Sequence, residues 1–535
     1  MKHFDLLNVF VLALSSMAGA CFSSQTRDLF GGAILPNDNL YNYSWHLRQI
    51  EADWAWDIST GLNSFSTGFI DSGIDYYNFD LSPNLNGLLS IDCYGNHERN
   101  PLSYSSPHGT RVASIFGAAN GFNHYVSGVT NLSSIVSLRT DEPNLPDTPN
   151  YQAVLFAIYH AIENSDEIIF LNSSVQMSNY SDSEINAITY LMNLYPGLMV
   201  LVAGNFNHDL DITNNSTAFQ AFHNLPNVLV VGASDQNDEK CDFSNYGSNY
   251  VDLFAPGIDI CSFPINPLTS EPELFRGTCA AAPLVSGTAA LMKSVNPTLT
   301  PAQIKQLILN NVDIKSDLYN LCASHGRLNT FKAVKAAIPA IESFGQDVAC
   351  VQSLPYDKQQ FYRINLTPGI YHFESTDSLN MSGELFTDIK NSPVATSANT
   401  YGDFSFDYNC NYSQTVYLKV VNNDYGTDDY SIRITKTHTH LYDYSYSQYN
   451  LLKHRAYCQC GSYIHQLHVS DGIFNRCVLC GQDLNLPFDP LMSYTTIGNN
   501  SRLYSNGIVL LSDIDKSLIA IGQITYEELL GGIEI

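Results

Sequence analysis

Basic residues are scarce in this chain. Lys and Arg number 25 against 52 Asp and Glu, which gives a formal net charge of −27 over 535 residues. Such a charge repels nucleic acid and anionic membrane surfaces, so a nucleic-acid partner is not expected. Internal repeats and low-complexity blocks are also absent, and a chain of this length is expected to form two to four domains.

Long apolar runs are lacking beyond the N-terminus, so no later segment approaches the roughly 20 apolar residues that cross a bilayer. The N-terminus itself carries Lys2, an apolar run at 6–14 and small residues before Cys21. This pattern predicts a signal peptide over residues 1–20. Lipidation of Cys21 is the alternative to free secretion and would tether the chain to a membrane. We expect a monomer that is extracellular or held at the cell surface.

Short runs rich in Ile, Val and Leu alternate with helical patterns between residues 40 and 340. The runs "STGFID", "EIIFLNSS", "LMVLVAGN" and "VLVVGAS" are typical of strands, whereas "YQAVLFAIYHAI" is typical of a helix. This alternation predicts an α/β domain with a parallel sheet covered by helices on both faces. Sites in such sheets form at the carboxyl ends of the strands.

Three polar residues follow or precede such elements. Asp71 ends the strand in "FIDSGID", His108 precedes a small-residue helix in "SSPHGTRVASIFGAA", and Asn205 follows a strand in "LVAGNFN". Acyl transfer needs a carboxylate to orient a base, a base to take a proton and a donor to stabilise an oxyanion. Each residue alone is commonly a cap, a structural histidine or a turn residue, and only their combination suggests chemistry.

Cys279 supplies a nucleophile within "FRGTCAAAPLVSG". Gly277 and Thr278 lead into this cysteine and then into a helix of small residues, with Pro283 expected in its first turn. The positive end of that helix would favour a thiolate and would offer N–H groups to an oxyanion. The alternative is an inert buried cysteine.

The segments "DSG", "HGTxVA", "AGN" and "GTxxAAPxVSG", in this order, resemble the subtilisin-like serine peptidases over about residues 40–340. The resemblance implies a peptidase without a catalytic cofactor that acts on polypeptides, in which Asp71 orients, His108 is the general base and acid, and Asn205 stabilises the oxyanion. It places Cys279 where that family has its nucleophilic serine.

A thiol in place of a hydroxyl leaves three functions open. A thiol ionises more readily, but it is also the better leaving group, so the tetrahedral intermediate can collapse backwards before the amide breaks. We expect a secreted endopeptidase with a cysteine nucleophile. The alternatives are a catalytically silent peptide-binding surface protein and a peptide ligase or transpeptidase that uses the same cysteine.

The sequence says less about which residues bind the substrate. By the same resemblance, Ser173 in "NSSVQMS" belongs to a substrate-binding strand. The small Gly-rich continuation of that strand is missing, and Val175, Gln176 and Met177 stand in its place. A narrow first specificity pocket is therefore expected.

Tyr/Thr-rich alternation follows at residues 345–436 and predicts a β-sandwich. The stretches "FYRINLTPGIYHFES" and "VYLKVVNNDYGTDDYSIRI" resemble the pre-peptidase C-terminal domains of secreted bacterial peptidases. An acidic loop with Asp424, Asp428 and Asp429 could bind calcium, although solvated turn carboxylates are the simpler interpretation.

A Cys/His-rich module is expected at residues 437–487, followed by a C-terminal tail segment at 488–535. Two closely spaced cysteine pairs, Cys458 with Cys460 and Cys477 with Cys480, suit a tetrahedral structural zinc site. His465 and His468 are possible substitutes as ligands. Disulfide bonds between these cysteines are the alternative, because an exported protein meets an oxidising environment.

Overall fold

A computed structural model of the chain describes residues 38, 40–95, 106–120, 125–142, 145–177, 180–212, 217–263, 273–342, 352–355, 358–376, 380–397, 402–423, 426–437, 442–448, 453–458, 463–467, 494–497, 501–504 and 509–510. The chain divides into two compact units, Met1–Lys436 and Thr437–Ile535. We refer to residues 40–342, the N-terminal portion of the first unit, as the first part. The strands of the first part are β1 (Gly61–Asp71), β2 (Ile91–Asp92), β3 (Leu132–Arg139), β4 (Asp141–Glu142), β5 (Leu145–Pro149), β6 (Ile168–Ser173), β7 (Leu198–Val202), β8 (Val228–Ser234), β9 (Leu253–Pro256), β10 (Ile260–Ser262), β11 (Glu273–Phe275), β12 (Asp313–Ile314), β13 (Gly326–Arg327) and β14 (Ala340–Ile341). The α-helices are α1 (Trp45–Gln49), α2 (Ala52–Trp56), α3 (His108–Gly117), α4 (Tyr151–Glu163), α5 (Asp182–Leu194), α6 (Thr217–His223), α7 (Thr278–Val295), α8 (Pro301–Asn310) and α9 (Thr330–Ala337).

A nine-stranded sheet organises the first part, in the order β12-β13-β9-β8-β7-β6-β1-β3-β2. Every neighbouring pair in it is parallel except β12 with β13. The apolar runs of the sequence form its centre, where β7 and β8 are buried along their whole length. The predicted α/β fold with a parallel sheet is therefore confirmed, and the helix predicted for "YQAVLFAIYHAI" is α4.

The strand order reverses beside β1. After β1 the chain adds β2 and β3 on one side and then crosses to place β6 on the other side. Such a switch point leaves a crevice at the carboxyl ends of the strands. Asp71 is the last residue of β1 and lies at this edge of the sheet.

Helix α7 runs through the core. Nearly all of its residues are buried, and most of them are small, so it approaches the sheet and α3 closely. A Cβ at Gly287 would lie 2.6 Å from the Val129 Cβ, so only glycine fits there. Pro283 lies at the sixth helical position rather than in the first turn. Because proline has no N–H, the carbonyl of Cys279 loses the helical donor that would normally come from residue 283.

A second core covers the opposite face of the sheet. It joins α4, α5 and α6 to the strands through buried residues such as Ile158, Ile188 and Phe222. Helices therefore lie on both faces, as predicted.

The strands between residues 352 and 437, together with β14, form two sheets around a shared core. The strands are β15 (Gln352–Leu354), β16 (Gln359–Leu366), β17 (Gly369–Thr376), β18 (Met381–Phe386), β19 (Ala395–Thr396), β20 (Ser405–Cys410), β21 (Gln414–Asn422) and β22 (Asp428–Thr437). One sheet has the order β14-β16-β21-β18-β19 and the other has the order β15-β22-β17-β20. Ile364 and Leu418 of the first sheet pack with Phe373 and Ile432 of the second. We refer to this pair of sheets as the sandwich.

The sandwich packs against the first part through one side of its first sheet. Phe361, Phe386 and Tyr417 belong to the same buried cluster as α7 and α9. Lys390 Nζ lies 2.8 Å from Glu51 Oε2 and over the ring of Trp54. Gln360 Nε2 donates to the backbone oxygen of Val295, the last residue of α7, so the sandwich meets the end of this helix opposite to Cys279.

The described residues of the second unit form two small antiparallel sheets. The strands are β23 (Tyr442–Gln448), β24 (Lys453–Cys458), β25 (Tyr463–Leu467), β26 (Tyr494–Ile497), β27 (Ser501–Tyr504) and β28 (Val509–Leu510). The first three form one sheet and the last three form the other. Among the described residues, no helix combines the length and the apolar character that crossing a lipid bilayer requires.

Candidate active site

The carboxyl ends of three adjacent strands carry the polar residues of the candidate site. Asp71 ends β1, Ser173 ends β6, and Asn205 lies three residues beyond the end of β7. In the sheet, Ile70 is the register partner of Ser173. Because β1, β6 and β7 are parallel neighbours, the three residues meet at one edge of the sheet.

Asp71 and His108 are hydrogen-bonded to each other. The Nδ1 of His108 lies 2.7 Å from Asp71 Oδ1, the same oxygen that accepts a hydrogen bond from the backbone N–H of Ser72. The Asp71 side chain is 3% exposed, whereas that of His108 is 25% exposed. Holding Nδ1 in this way leaves Nε2 of the ring available for proton transfer.

The first turn of α3 fits closely against the end of β1. Gly109 donates its backbone N–H to Ser72 Oγ, and Thr110 Oγ1 accepts a hydrogen bond from the N–H of Asp75. A Cβ on Gly109 would lie 2.3 Å from the Gly73 oxygen and 2.9 Å from Asp71 Oδ1. Glycine at 109 is therefore required for His108 to reach Asp71.

Contact between Asp71 and His108 shifts their pKa values in opposite directions, lowering that of Asp71 and raising that of His108. Burial alone would raise the pKa of Asp71, but the charge of His108 and its hydrogen bond lower this pKa by more than burial raises it, so the net shift is downward. Burial alone would lower the pKa of His108, but Asp71 and the neighbouring Cys279 raise it well above its ordinary value. Both shifts favour the charged forms, a carboxylate on Asp71 and an imidazolium on His108, and Cys279 is among the neighbours of this pair.

Cys279 lies in the first turn of α7, preceded by a glycine that fixes the approach of the chain. Gly277 has φ +137°, a conformation that side chains other than glycine rarely adopt. The position of a Cβ on residue 277 would lie 2.6 Å from Cys279 Sγ and 3.4 Å from Asn205 Nδ2. The thiol and the amide nitrogen thus flank the same small space, and Cys279 is 7% exposed.

Thr278 orients the side chain of Asn205. The Asn205 Oδ1 accepts one hydrogen bond from the Thr278 backbone N–H at 2.9 Å and another from Thr278 Oγ1 at 3.0 Å. With its oxygen held, the Asn205 amide turns Nδ2 towards the space beside Cys279. A developing negative charge on an oxygen there would meet a fixed N–H donor.

Phe275 covers one side of the imidazole. Its ring meets the His108 ring edge-on, with centroids 5.4 Å apart, and the guanidinium of Arg111 lies over the same phenyl ring. This contact restricts rotation of the His108 ring away from Asp71.

The structure thus brings Asp71, His108, Cys279 and Asn205 together, whereas their chemical roles stay predictions. Ser173 is 1% exposed and its hydroxyl accepts a hydrogen bond from the Val175 N–H at 3.4 Å, so its predicted role in substrate binding also stays a prediction. Sequence reasoning missed the parts played by Gly109, Thr278 and Phe275. Two of them directly adjoin predicted residues in the motifs "HGT" and "GTC", which is the signal that could have identified them.

Several predicted features fall outside the described residues. These are the signal peptide, Cys21, Asp424 and the side chains of Asp428, Asp429, Cys458, Cys460, His465, His468, Cys477 and Cys480, so zinc, disulfide and calcium binding there stay predictions. Within the described part of the chain, no group of three or more His, Cys, Asp or Glu residues is arranged to hold a metal ion. The six cysteines described there are buried and free: Cys93, Cys241, Cys261, Cys279, Cys322 and Cys410.

Comparison with known proteins finds relatives of this sequence among peptidases. Residues 63–336, about half of the chain, match the subtilase family. A thermophilic serine proteinase of Bacillus sp. (strain AK1) is 30% identical over 309 residues, which are 57% of this chain and 71% of that protein. Thermitase of Thermoactinomyces vulgaris is 28% identical over 56% of this chain and 99% of its own length. Halolysin of Haloferax mediterranei is 29% identical over 56% of this chain and 54% of its own length.

Proposed function

The chain belongs to the subtilase family, and within that family we propose that it is an endopeptidase whose nucleophile is the thiol of Cys279. As a member of a peptidase family it acts on polypeptides. The observation that carries the proposal is the 2.7 Å hydrogen bond between Asp71 and His108, with Cys279 beside the same imidazole.

The first step is proton transfer from the thiol to His108. The raised pKa of His108 means that the ring holds a proton readily, and the buried carboxylate of Asp71 stabilises the resulting imidazolium. The Cys279 thiolate then attacks the carbonyl carbon of the scissile peptide. A bond forms between sulfur and carbon, and the carbonyl π electrons move onto oxygen.

The oxyanion is stabilised by donors that are already in position. Nδ2 of Asn205 points to the space beside the sulfur because Thr278 holds Oδ1. The Thr278 N–H is taken by Asn205, but the N–H of Cys279, in the first turn of α7, has no helical acceptor by geometry and supplies a second donor at the positive end of the helix dipole. These groups cost no reorganisation when the charge develops.

Breakdown of the tetrahedral intermediate releases the amine. The His108 imidazolium gives its proton to the leaving nitrogen, the carbon–nitrogen bond breaks, and a thioester to Cys279 remains. Water then attacks the thioester carbonyl, gives its proton to His108, and releases the acid and the free thiol. Prompt protonation of the amine matters because thiolate is the better leaving group.

Export is part of the proposal. The basic start, the apolar run 6–14 and the small residues before Cys21 support translocation of the chain to the cell exterior. The strongly negative net charge agrees with a role in solution rather than on nucleic acid.

The test follows cleavage of an unfolded polypeptide before and after treatment with iodoacetamide. Burial raises the pKa of four other cysteines, among them Cys241 and Cys261 to about 12, so these thiols react slowly while Cys279 alkylates. We expect Cys279 to be modified ahead of these four cysteines, and cleavage to be lost in proportion to its modification. Cys241→Ala is the control and should keep both activity and sensitivity to the reagent.

Three outcomes separate the alternatives. Loss of cleavage in Cys279→Ala supports the endopeptidase. A protein that holds peptide uncut, and does so equally well as Cys279→Ala, is a silent binder and overturns the proposal. Joined products on addition of a free peptide amine, with little hydrolysis, indicate a transpeptidase instead.

A further inference from the structure

The direction in which a substrate crosses the site follows from the roles proposed above. His108 must protonate the leaving nitrogen, so the leaving segment lies on the side of the imidazole. The carbonyl oxygen must meet Asn205 Nδ2. The residue that donates this carbonyl therefore lies on the other side, towards Gly204, whose N–H donates to Thr278 Oγ1 at 3.3 Å.

A small pocket opens at that place, between the ends of β6 and β7. Ala203 and Gly204, which directly precede Asn205, form one wall, and Gln176 and Met177, which follow β6, form another. Phe219, which is 3% exposed, also lines the pocket. The side chain of this residue is attached to the Cα that precedes the attacked carbonyl and would enter this pocket.

The pocket is nearly filled by the protein itself. Its free volume is about 10 Å³, the room that one water molecule needs. Met177 is 1% exposed and belongs to the buried cluster on this side of the sheet, so its side chain is a buried part of the pocket lining. A methyl group is about as large as a water molecule, whereas a leucine or phenylalanine side chain is several times larger.

The opposite wall cannot move aside easily. Asn245, which is 3% exposed, donates from Nδ2 to the Ala203 oxygen at 2.8 Å and accepts at Oδ1 from the N–H groups of Phe206 and His208. Gly204 has φ +100°, and a Cβ there would lie 2.6 Å from Asn245 Nδ2. Widening the pocket on this side would break three hydrogen bonds that hold the chain on both sides of Asn205, at Ala203, Phe206 and His208.

We infer that Met177 and Gln176 restrict the substrate residue on the acyl side of the scissile bond to glycine or alanine. The inference rests on the proposed function for the position of the attacked carbonyl. Met177 sets the depth of the pocket and Gln176, which is half-buried, narrows its mouth. Both act by excluding volume rather than by contacting the reacting atoms.

The test uses the full chain and a set of peptide aldehydes that differ only in the last residue, which is glycine, alanine, leucine or phenylalanine. Addition of the Cys279 thiol to the aldehyde carbon, with the proton passing to oxygen, forms a reversible hemithioacetal without any turnover. Affinity is read from protection of Cys279 against iodoacetamide. We expect the glycine and alanine aldehydes to bind at least about 10-fold more tightly than the other two, the usual discrimination by an apolar pocket that is too small.

Variants identify the residue responsible. Met177→Ala should improve the affinity for the leucine aldehyde relative to the alanine aldehyde by about 10-fold or more. Met192→Ala removes the same atoms from the same buried cluster on α5 and should leave the ranking unchanged. If Met177→Ala does not fold, Gln176→Ala at the mouth should shift the ranking in the same direction.

The outcomes for this inference and for the proposed function differ. Equal or tighter binding of the leucine or phenylalanine aldehyde overturns the inference, and so does the failure of every aldehyde to protect Cys279. The expected ranking without cleavage of any matching peptide supports the inference and overturns the peptidase function instead.

Discussion

Thr278 holds Asn205 by two hydrogen bonds to one oxygen, although the two residues are 73 positions apart in the sequence. One bond comes from the backbone and the other from the hydroxyl, and both lie at the N-terminus of α7, next to Cys279. The candidate nucleophile and the candidate oxyanion donor are therefore positioned by the same turn of the chain.

Thr278→Val tests this relationship because valine keeps the shape and removes only the hydroxyl. We expect kcat for peptide cleavage to fall by up to about 10-fold, the value of one net hydrogen bond, while KM stays constant. KM is spared because the oxyanion exists only beyond the ground state. Steady-state kinetics on one peptide measures both constants.

Thr288→Val is the matched control. Thr288 is buried in the same helix and its hydroxyl bonds to Thr330, away from the site. A kcat as low for this control as for Thr278→Val would mean that the helix, and not Asn205, is affected.

The ion pair of Asp71 and His108 predicts a specific pH dependence. The folded-state pKa of His108 lies above its ordinary value of 6.5, so its contribution to stability is complete below about pH 6.5 and is lost as the pH rises through the raised value. The folded-state pKa of Asp71 lies below its ordinary value of 3.8. The contribution of Asp71 is therefore present above about pH 4 and is lost as the pH falls through the lowered value.

Asp71→Asn removes the charge that raises the pKa of His108. We expect the His108 imidazole resonances to titrate at a distinctly lower pH in this variant than in the wild type, as followed by nuclear magnetic resonance. Asp235→Asn, in an exposed turn, should leave the titration of His108 unchanged. Identical titration of His108 in the wild type and in Asp71→Asn would contradict the ion pair.

Gly109→Ala should separate Asp71 from His108 without changing either residue. The added Cβ meets the Gly73 carbonyl and Asp71, so the start of α3 must shift. We expect activity to fall by about 10²-fold, since a displacement of about 1 Å has that effect, and unfolding free energy to fall by about 1–3 kcal/mol. Gly426→Ala, where a Cβ meets nothing within 4 Å, should be neutral in both assays.

The sequence predicts those parts of the site that local patterns encode. Asp71 and Asn205 could be placed because each follows an apolar strand, and parallel strands bring their carboxyl ends to one edge. The support from Thr278 to Asn205 depends on packing between distant segments, which no local pattern encodes. Pro283 shows the same limit, because its usual place at a helix start was overridden by the close packing of α7.

The sandwich should stabilise the first part of the chain as well as itself. Phe361 of the sandwich is 2% exposed and belongs to the cluster around α7 and α9. Phe361→Ala is expected to lower the unfolding free energy by about 3–5 kcal/mol. All three tryptophans lie between residues 45 and 56, so their fluorescence during denaturation reports on the first part alone.

Tyr412→Ala, at a sandwich residue that is 65% exposed, is the control and should leave the tryptophan transition in place. A tryptophan transition that is unchanged in Phe361→Ala would mean that the two parts unfold independently.

His46 is fully buried in α1, and neither of its ring nitrogens has a hydrogen-bond partner within the part of the chain that the structure describes. Burial, assisted by the charge of Arg48, lowers the pKa of His46 from 6.5 to about 3. The unfolded chain therefore binds a proton near pH 6.5 that the folded protein does not bind, and the free energy of unfolding falls as the pH drops from about 6.5 towards 3.

His46→Leu removes this proton uptake and fills the same space with an apolar side chain. We expect the variant to gain unfolding free energy over the wild type by up to about 1.4 kcal/mol for each pH unit below 6.5, as measured by denaturant titration at pH 7, 6 and 5. A difference between variant and wild type that stays constant over this range would show that His46 takes up its proton in the folded state, through a partner such as a buried water molecule.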